Sequence, residues 1–431
     1  MKPVLLAATM LAAFVQPAMA QTAPAPETTY IHAGRLLADP ASGQVETNKT
    51  VVVQDGRIVG IRDGYVGEGK VVDLRDSFVM PGFIDSHVHL TFESGPNNQL
   101  EAVTKSTVDQ AFDGVVYAKR TVRAGFTTVA DLGADPQAIN ALRDAIASGK
   151  VVGPRIIAAG GVAAHGGHGD IHGYRQEIID LFRSPTLCSG ADDCARAVRL
   201  AVQQGADIIK TASTGGVMSN TAAGLGQQMS DAELAAIVET AHRLGRKVAA
   251  HAHGTDGVNA ALRAGVDSVE HGTYLDPESI RLFKAKGSYL VPTLMAGDTV
   301  ARQADTADWM PAAVKAKAKT VGPLMIDALR RAREGGVRVA FGTDSAVSPH
   351  GENGREFLLM TKAGYSPLDT IRSATVWGAA HLGLEREIGS LVPGKAADIV
   401  AVRGDPLGDV RALETMVFVM KGGAVVRTVG E

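Results

Sequence analysis

Pro81-Gly82-Phe83-Ile84-Asp85-Ser86-His87-Val88-His89 is the stretch from which the rest of the chain can be read. Phe83 to His87 has the apolar, β-rich character of a buried strand, and it ends in two imidazoles spaced two apart. On an extended segment, residues i and i+2 face the same side, so His87 and His89 point into one space, as ligands of a shared metal must. Beyond Pro81 the pattern alternates short β-branched runs with helical stretches such as Asp231 to Leu244 and Pro311 to Glu334, which is the βα rhythm of a parallel barrel. The spacing predicts eight strands: Phe83 to His87, Thr127 to Asp131, Arg155 to Ala159, Asp207 to Thr211, Lys247 to His251, Ser268 to His271, Tyr289 to Pro292 and Arg338 to Gly342.

Metal-binding residue types recur where these strands end: Lys210 at the fourth, His251 at the fifth, His271 at the sixth and Asp344 after the eighth. Barrel active sites are built at the C-terminal ends of the strands, so residues scattered through the chain converge there. Any one of them alone reads as a hydrogen-bonded rim residue, and Asp344 in Gly342-Thr343-Asp344-Ser345 as a turn or cap. Their joint placement is what points to a metal centre. The fifth strand offers two histidines of the same parity, His251 and His253, and the residues leave open which is the ligand.

Outside the barrel, Thr29 to Leu37, Thr50 to Ile61 and Gly69 to Leu74 alternate apolar runs with Gly and Asp turns, and β-rich stretches return at Ala397 to Val402 and Met416 to Val426. The expectation is an α/β protein. A (β/α)8 TIM-like barrel over 81–384 is inserted into a small β-sandwich domain made from 28–80 and 385–431. At the front, Met1 and Lys2, an apolar run from Val4 to Val15 and the small-x-small site Ala18-Met19-Ala20 read as an export signal over 1–20. That places the mature chain in the periplasm or outside the cell. Export makes Cys188 and Cys194 candidates for a disulfide, the alternative being two free thiols held too far apart at the start of a helix.

The chain has 431 residues, 45% hydrophobic and 21% charged, enough for a large core, and its 43 basic and 46 acidic residues give a net charge of -3. That balance creates no field to recruit nucleic acid or an anionic membrane. The expected partner is a small-molecule or peptide substrate.

Taken in order, these motifs resemble the metal-dependent amidohydrolase superfamily over nearly the whole mature chain. The resemblance rests on Pro81 to His89, Ala206-Asp207-Ile208-Ile209-Lys210, His251-Ala252-His253-Gly254, Val269-Glu270-His271-Gly272, Gly342-Thr343-Asp344 and Val392-Pro393-Gly394-Lys395-Ala396-Ala397-Asp398. More narrowly the chain looks like the exported Xaa-Pro dipeptidase-like and carboxypeptidase-like branch, which includes ochratoxin-degrading amidohydrolases. The resemblance implies that carbon dioxide carboxylates Lys210, and that two divalent ions, with zinc the expected metal, are held by His87, His89, Lys210, His251, His271 and Asp344. Two ions sharing a water lower its pKa toward neutrality, and one ion polarises the scissile carbonyl. Asp344 would then carry the proton to the leaving amine.

The resemblance places the strand-five ligand at His251, leaving His253 to contact the substrate carbonyl or the oxyanion. The glycine-rich loop Ala164 to His172 brings His165, His168 and His172 within reach of the barrel mouth, with His165 and His168 the candidate substrate contacts. Arg155, Arg175 and Arg355 are candidate anchors for a substrate carboxylate. The expected reaction is hydrolysis of an acyclic amide: a dipeptide, a C-terminal amino acid or an N-acyl amino acid, ochratoxin-like substrates included. A cyclic-amidase or deaminase of the imidazolonepropionase type is the rival within the superfamily, and a non-catalytic barrel binding protein the rival outside it. Lys210 argues for two ions against the first, and the complete ligand set argues against the second. Relatives commonly assemble, so a homo-oligomer is expected.

Overall fold

The computed structural model describes residues 27–219 and 224–430; the export signal read in 1–20 lies outside them. Eight strands form one parallel ladder: β5 (Phe83–Val88), β6 (Phe126–Asp131), β7 (Arg155–Gly161), β10 (Ile208–Ala212), β11 (Val248–Ala252), β12 (Ser268–His271), β13 (Tyr289–Val291) and β14 (Arg338–Val339). The numbers between belong to β8 (Ala163–Ala164) and β9 (Leu187–Cys188), a two-stranded pair over the barrel mouth. The ring closes through the extended residues after β14: Ser86 N donates to Phe341 O at 2.8 Å and Asp344 N to His87 O at 2.7 Å. Every residue of β5, β6, β11 and β12 is buried, as expected of strands enclosed by helices on one face and by the barrel interior on the other.

The intervening helices follow from capping and spacing. In Asp231–Arg243, Ser230 and Glu233 form a capping box, and Leu234, Ile237, Val238 and Ala241 recur every three or four residues to make the buried stripe. No helix of the described residues is long and apolar enough to cross a membrane.

The terminal strands β1 (Thr28–Leu36), β2 (Glu46–Gln54), β3 (Arg57–Asp63), β4 (Lys70–Pro81), β15 (Ile399–Val402), β16 (Met416–Lys421) and β17 (Ala424–Arg427) hydrogen-bond as one seven-stranded mixed sheet, in the order β17-β16-β15-β4-β1-β2-β3. Two details differ from the sequence reading. Thr50 to Ile61 is a hairpin that turns at Asp55-Gly56, and the strand expected over Gly69 to Leu74 runs on to Pro81. The sheet bends over its own core: Gly423 N donates to Ala397 O, Ala397 N to Gly56 O, and a Cβ on Gly423 would lie 2.7 Å from Gly56 Cα. Both faces are covered. Val79, Ile399 and Ala401 pack inside the sheet, while Phe78, Met80, Val400 and Val402 join the barrel core, the alternation that a period of two requires. Only Gly82 separates β4 from β5, and a Cβ there would sit 2.3 Å from Thr127 Oγ1.

Candidate metal centre

Seven of the residues singled out in the sequence meet at the C-terminal ends of the barrel strands. His87 and His89 close β5, and Asp344 joins them from the loop after β14, its Oδ1 lying 3.5 Å from His87 Nε2 and 3.2 Å from His89 Nε2. A second trio, His251, His253 and His271, comes from β11, the residue after it and β12; in each trio the donor atoms lie within 4.8 Å of one another. Lys210, on β10, puts Nζ 3.4 Å from His87 Nε2.

Hydrogen bonds to groups outside the cluster take up one nitrogen of each ring. His87 Nδ1 donates to Glu270 Oε2 at 2.8 Å, and His89 Nδ1 to Gly133 O at 2.8 Å. His271 Nδ1 meets Thr293 Oγ1 at 2.6 Å, and His253 Nδ1 meets Thr273 Oγ1 at 2.8 Å. In these four the Nε2 atom remains. His251 is reversed, with Nε2 toward Gly215 O at 3.3 Å, so Nδ1 is the nitrogen left over. Fixing one ring nitrogen by a hydrogen bond sets the tautomer and orientation of the other, as metal-binding histidines require.

Protonation runs the same way. Burial, followed by neighbouring positive groups, holds His87, His251 and His271 well below the ordinary histidine range and His253 at about 3, so these rings are neutral. Burial also opposes charge on His89, but contact with Asp344 raises its pKa overall. Desolvation opposes charge on Asp344 as well, but its surroundings, with the His89 hydrogen bond among them, lower its pKa overall and favour the ionised carboxylate. Burial lowers Lys210 against the pull of Glu270, Asp344 and Asp131, which favours the free amine.

Backbone strain is concentrated at the same place. His271, Thr293 and Asp344 have φ of 70°, 49° and 57°, a region that non-glycine residues seldom occupy and that clusters at functional sites. At His271 it has a visible effect. Adjacent strand residues face opposite ways, yet Glu270 and His271 both reach the cluster, because the left-handed turn of His271 breaks the alternation.

Several contributors were not read from the sequence. Glu270 is fully buried and takes Ser268 Oγ at 2.6 Å besides His87. Asp85 locks β5 to the Asp344 loop, accepting from His87 N and Thr343 N at 3.1 Å each, from Thr343 Oγ1 at 2.7 Å and from Asn353 Nδ2 at 2.8 Å; burial still pushes its pKa up to about 7. Both had a sequence signal, since a carboxylate inside a strand that the barrel buries must be paired. Lys317, on the helix Ala312–Glu334, donates to Gly216 O at 2.9 Å and also to Ser219 O, and its charge bears on His253.

The glycine-rich loop divides in two. His168 stacks on His251 with ring centroids 4.0 Å apart, bonds Ser219 Oγ through Nδ1 at 2.6 Å and is lowered to about 4 by burial. Gly216 must lack a side chain there, because a Cβ would lie 2.6 Å from the His168 ring. The structure does not bring His165 to the cluster: it is exposed and bonds Ser189 Oγ. His172 Nε2 only ties the loop to itself at Gly167 O. Nearby, a disulfide joins Cys188 to Cys194.

Two of the candidate arginine anchors are committed elsewhere. Arg155 opens β7 at the opposite end of the barrel, paired with Asp398 at 3.0 Å, and Arg355 is paired with Asp298 and Glu352. Arg175 is exposed at the start of the helix Gln176–Phe182.

A parallel barrel with histidine, carboxylate and lysine side chains gathered at its C-terminal mouth is the arrangement of a metal-dependent hydrolase. The chain belongs to the Amidohydrolase family, whose model matches residues 78–430. It is 29% identical over 94% of its length to ochratoxinase of Aspergillus niger, covering 88% of that protein. The structure of a Xaa-Pro dipeptidase with bound methionine superposes with a TM-score of 0.88 at 39% identity, over 93% of this chain and 99% of that one. A prolidase complexed with N-methylphosphonate-L-proline gives 0.82 at 28% identity, over 93% and 100%.

Proposed function

We propose that this protein hydrolyses an acyclic amide, a dipeptide or an N-acyl amino acid, at a centre of two divalent ions held by His87, His89, Lys210, His251, His271 and Asp344. The observation that carries this reading is the position of Lys210. Its Nζ lies beside His87 Nε2, and its strand pairs with β11, which carries His251. The donor set fits divalent ions: imidazoles, three of them held neutral by burial, an ionised carboxylate, and a buried lysine whose depressed pKa suits addition of its amine to carbon dioxide, which would release one proton and leave an anionic carbamate. Imidazole and oxygen donors suit zinc. When bound, the ions supply Lewis-acid activation of water and of the scissile carbonyl.

The chain's own groups do the rest. Asp344, held ionised beside the two β5 histidines, accepts a proton and returns it to the departing amine. His253, whose Nδ1 is tied to Thr273, aims its other nitrogen at the substrate carbonyl oxygen. His168, stacked on His251, forms the adjoining wall. The preference for an acyclic substrate is supported by the Xaa-Pro dipeptidase, prolidase and ochratoxinase relatives. Ochratoxin-like amides fall within the same class. We read the bent terminal sheet as a small β-sandwich, and residues 1–20 as a signal that sends the protein to the periplasm.

The test is metal stoichiometry. Lys210→Ala is expected to hold fewer than two ions per chain and to lose activity; two ions per chain in that variant would remove the bridging lysine. A screen of dipeptides and N-acyl amino acids against cyclic amides, on metal-loaded enzyme, then decides the substrate class.

A further inference from the structure

At the end of the barrel away from the histidine cluster lies a cavity of about 600 Å³. Its wall is built from the N-terminal ends of β7, β10 and β11, the end of the helix Pro136–Ala147 and the last residue of β16. Four cations line it, Arg143, Arg155, Lys247 and Lys421, with Asp144 and Asp207 the acids on the wall. The arginines are already neutralised. Arg143 pairs with Asp144 and Asp207, each at 3.0 Å. Arg155 pairs with Asp398 at 3.0 Å, and the other oxygen of Asp398 accepts Gly422 N at 2.7 Å.

The lysines are not. Lys247 Nζ has a backbone carbonyl, that of His381, as its hydrogen-bond partner, and among the described residues Lys421 Nζ makes no hydrogen bond or ion pair. Burial lowers the pKa of both, with Arg155 adding to the effect at Lys421, while Asp398 there and Asp267 and Glu385 around Lys247 act more weakly the other way. Asp144 and Asp207 on the wall are taken by Arg143, so neither lysine is in contact with a carboxylate, and an anion in the cavity would meet two ammonium groups without an ion-pair partner. The remaining wall is apolar: Ile146, Ala147, Pro154, Ile156, Ile157 and Leu382. A free inorganic ion would leave that surface wet.

We propose that this cavity is a second binding site, separate from the metal centre, for a small amphipathic anion: one carboxylate or phosphate head held by Lys421 and Lys247, with an apolar body against Ile156, Ile157 and Leu382. The volume suits a ligand of metabolite size. Lys247 stands one residue before β11, the strand that carries His251, and Ile208 opens β10, the strand that carries Lys210. A ligand here therefore touches the roots of two strands whose other ends hold the metal centre.

The test uses hexanoate and hexyl phosphate as probes and inorganic phosphate as the bare head group, titrated calorimetrically into metal-loaded full-length enzyme. Wild type is expected to bind at least one of the six-carbon probes saturably and more tightly than inorganic phosphate, with the affinity falling as salt rises. Loss of one charge-assisted contact in Lys421→Met should weaken binding by at least about tenfold while leaving amide hydrolysis unchanged. Ala147→Trp, a substitution at an exposed wall position, should crowd the cavity without replacing any of its cations. The proposal is overturned if neither six-carbon probe binds wild type, if binding is equal in Lys421→Met and Ala147→Trp, or if it disappears on stripping the metals and is therefore binding at the catalytic centre. Failure here leaves the reading of that centre untouched, since none of these residues belongs to it.

Discussion

Glu270 is the most informative residue to perturb, because it tests whether the cluster is organised for metal rather than merely packed. It is completely buried, accepts the His87 Nδ1 hydrogen at 2.8 Å and the Ser268 hydroxyl at 2.6 Å, and so fixes which nitrogen His87 presents to Lys210 and Asp344. Glu270→Gln keeps the volume and an acceptor for His87 but removes the charge. A hydrogen bond to a charged group is worth roughly 1.5–3 kcal/mol and a neutral one about 0.5–1.5. The difference, about 1–1.5 kcal/mol, corresponds to about a five- to tenfold loss in metal affinity. Outer partners of metal-binding histidines generally contribute about 10–100-fold, so about tenfold is the expected result.

Glu270→Ala separates the two roles, since it strands two buried donors at roughly 1–3 kcal/mol each and should lower stability as well. The assay is competition of apo-enzyme with a chromogenic chelator for zinc, alongside circular dichroism and urea unfolding. If Glu270→Gln binds zinc within twofold of wild type while folded, His87 is not a ligand positioned by Glu270, and the argument for the β5 site fails.

Other expectations are independent of that one. Asp344→Asn should preserve the fold and abolish turnover, and near wild-type activity would take the proton-carrying role away from Asp344. His381 is buried and neutral, with its pKa lowered to about 4 by desolvation. As pH falls below 6.5 the unfolded chain gains a proton that the folded ring resists until about 4, so stability is lost on acidification, by about 2 kcal/mol at pH 5. His381→Phe should flatten this part of the urea-midpoint profile between pH 7 and 5, and an unchanged profile would show that the ring does not carry it. Replacing Cys188 and Cys194 together by Ser opens a loop of sequence separation six and should cost about 2 kcal/mol; equal urea midpoints with and without reductant would contradict this. Gly216→Ala should displace His168 from its stack on His251 and lower kcat, measured with the best substrate from the screen, with metal content retained.

The strand skeleton was legible because a barrel strand is marked by its own residues: buried β-branched runs ending in a polar residue at the mouth. The residues of β5, β10, β11 and β12 that gather at the mouth were legible for the same reason. What was not legible depends on geometry between distant segments. Arg155 has the chemistry of a carboxylate anchor, but it starts its strand, and a residue at the start of a barrel strand lies at the floor, where it meets Asp398. His165 and His168 are equivalent by sequence, three apart in one glycine-rich loop, and only the turn through Gly166 and Gly167 sends one to Ser189 and the other onto His251. The positive φ of His271, which lets Glu270 and His271 serve the same site, has no sequence signature, since the alternation rule predicts the opposite. The second trio carries the same ambiguity: His253 lies as close to His271 as His251 does, at 4.8 Å against 4.6 Å between ring centroids. What separates them is the hydrogen bonding, Nε2 toward Gly215 O in His251 and Nδ1 toward Thr273 in His253. The two rings therefore offer opposite nitrogens, and that difference supports different work for two residues that the sequence makes look alike.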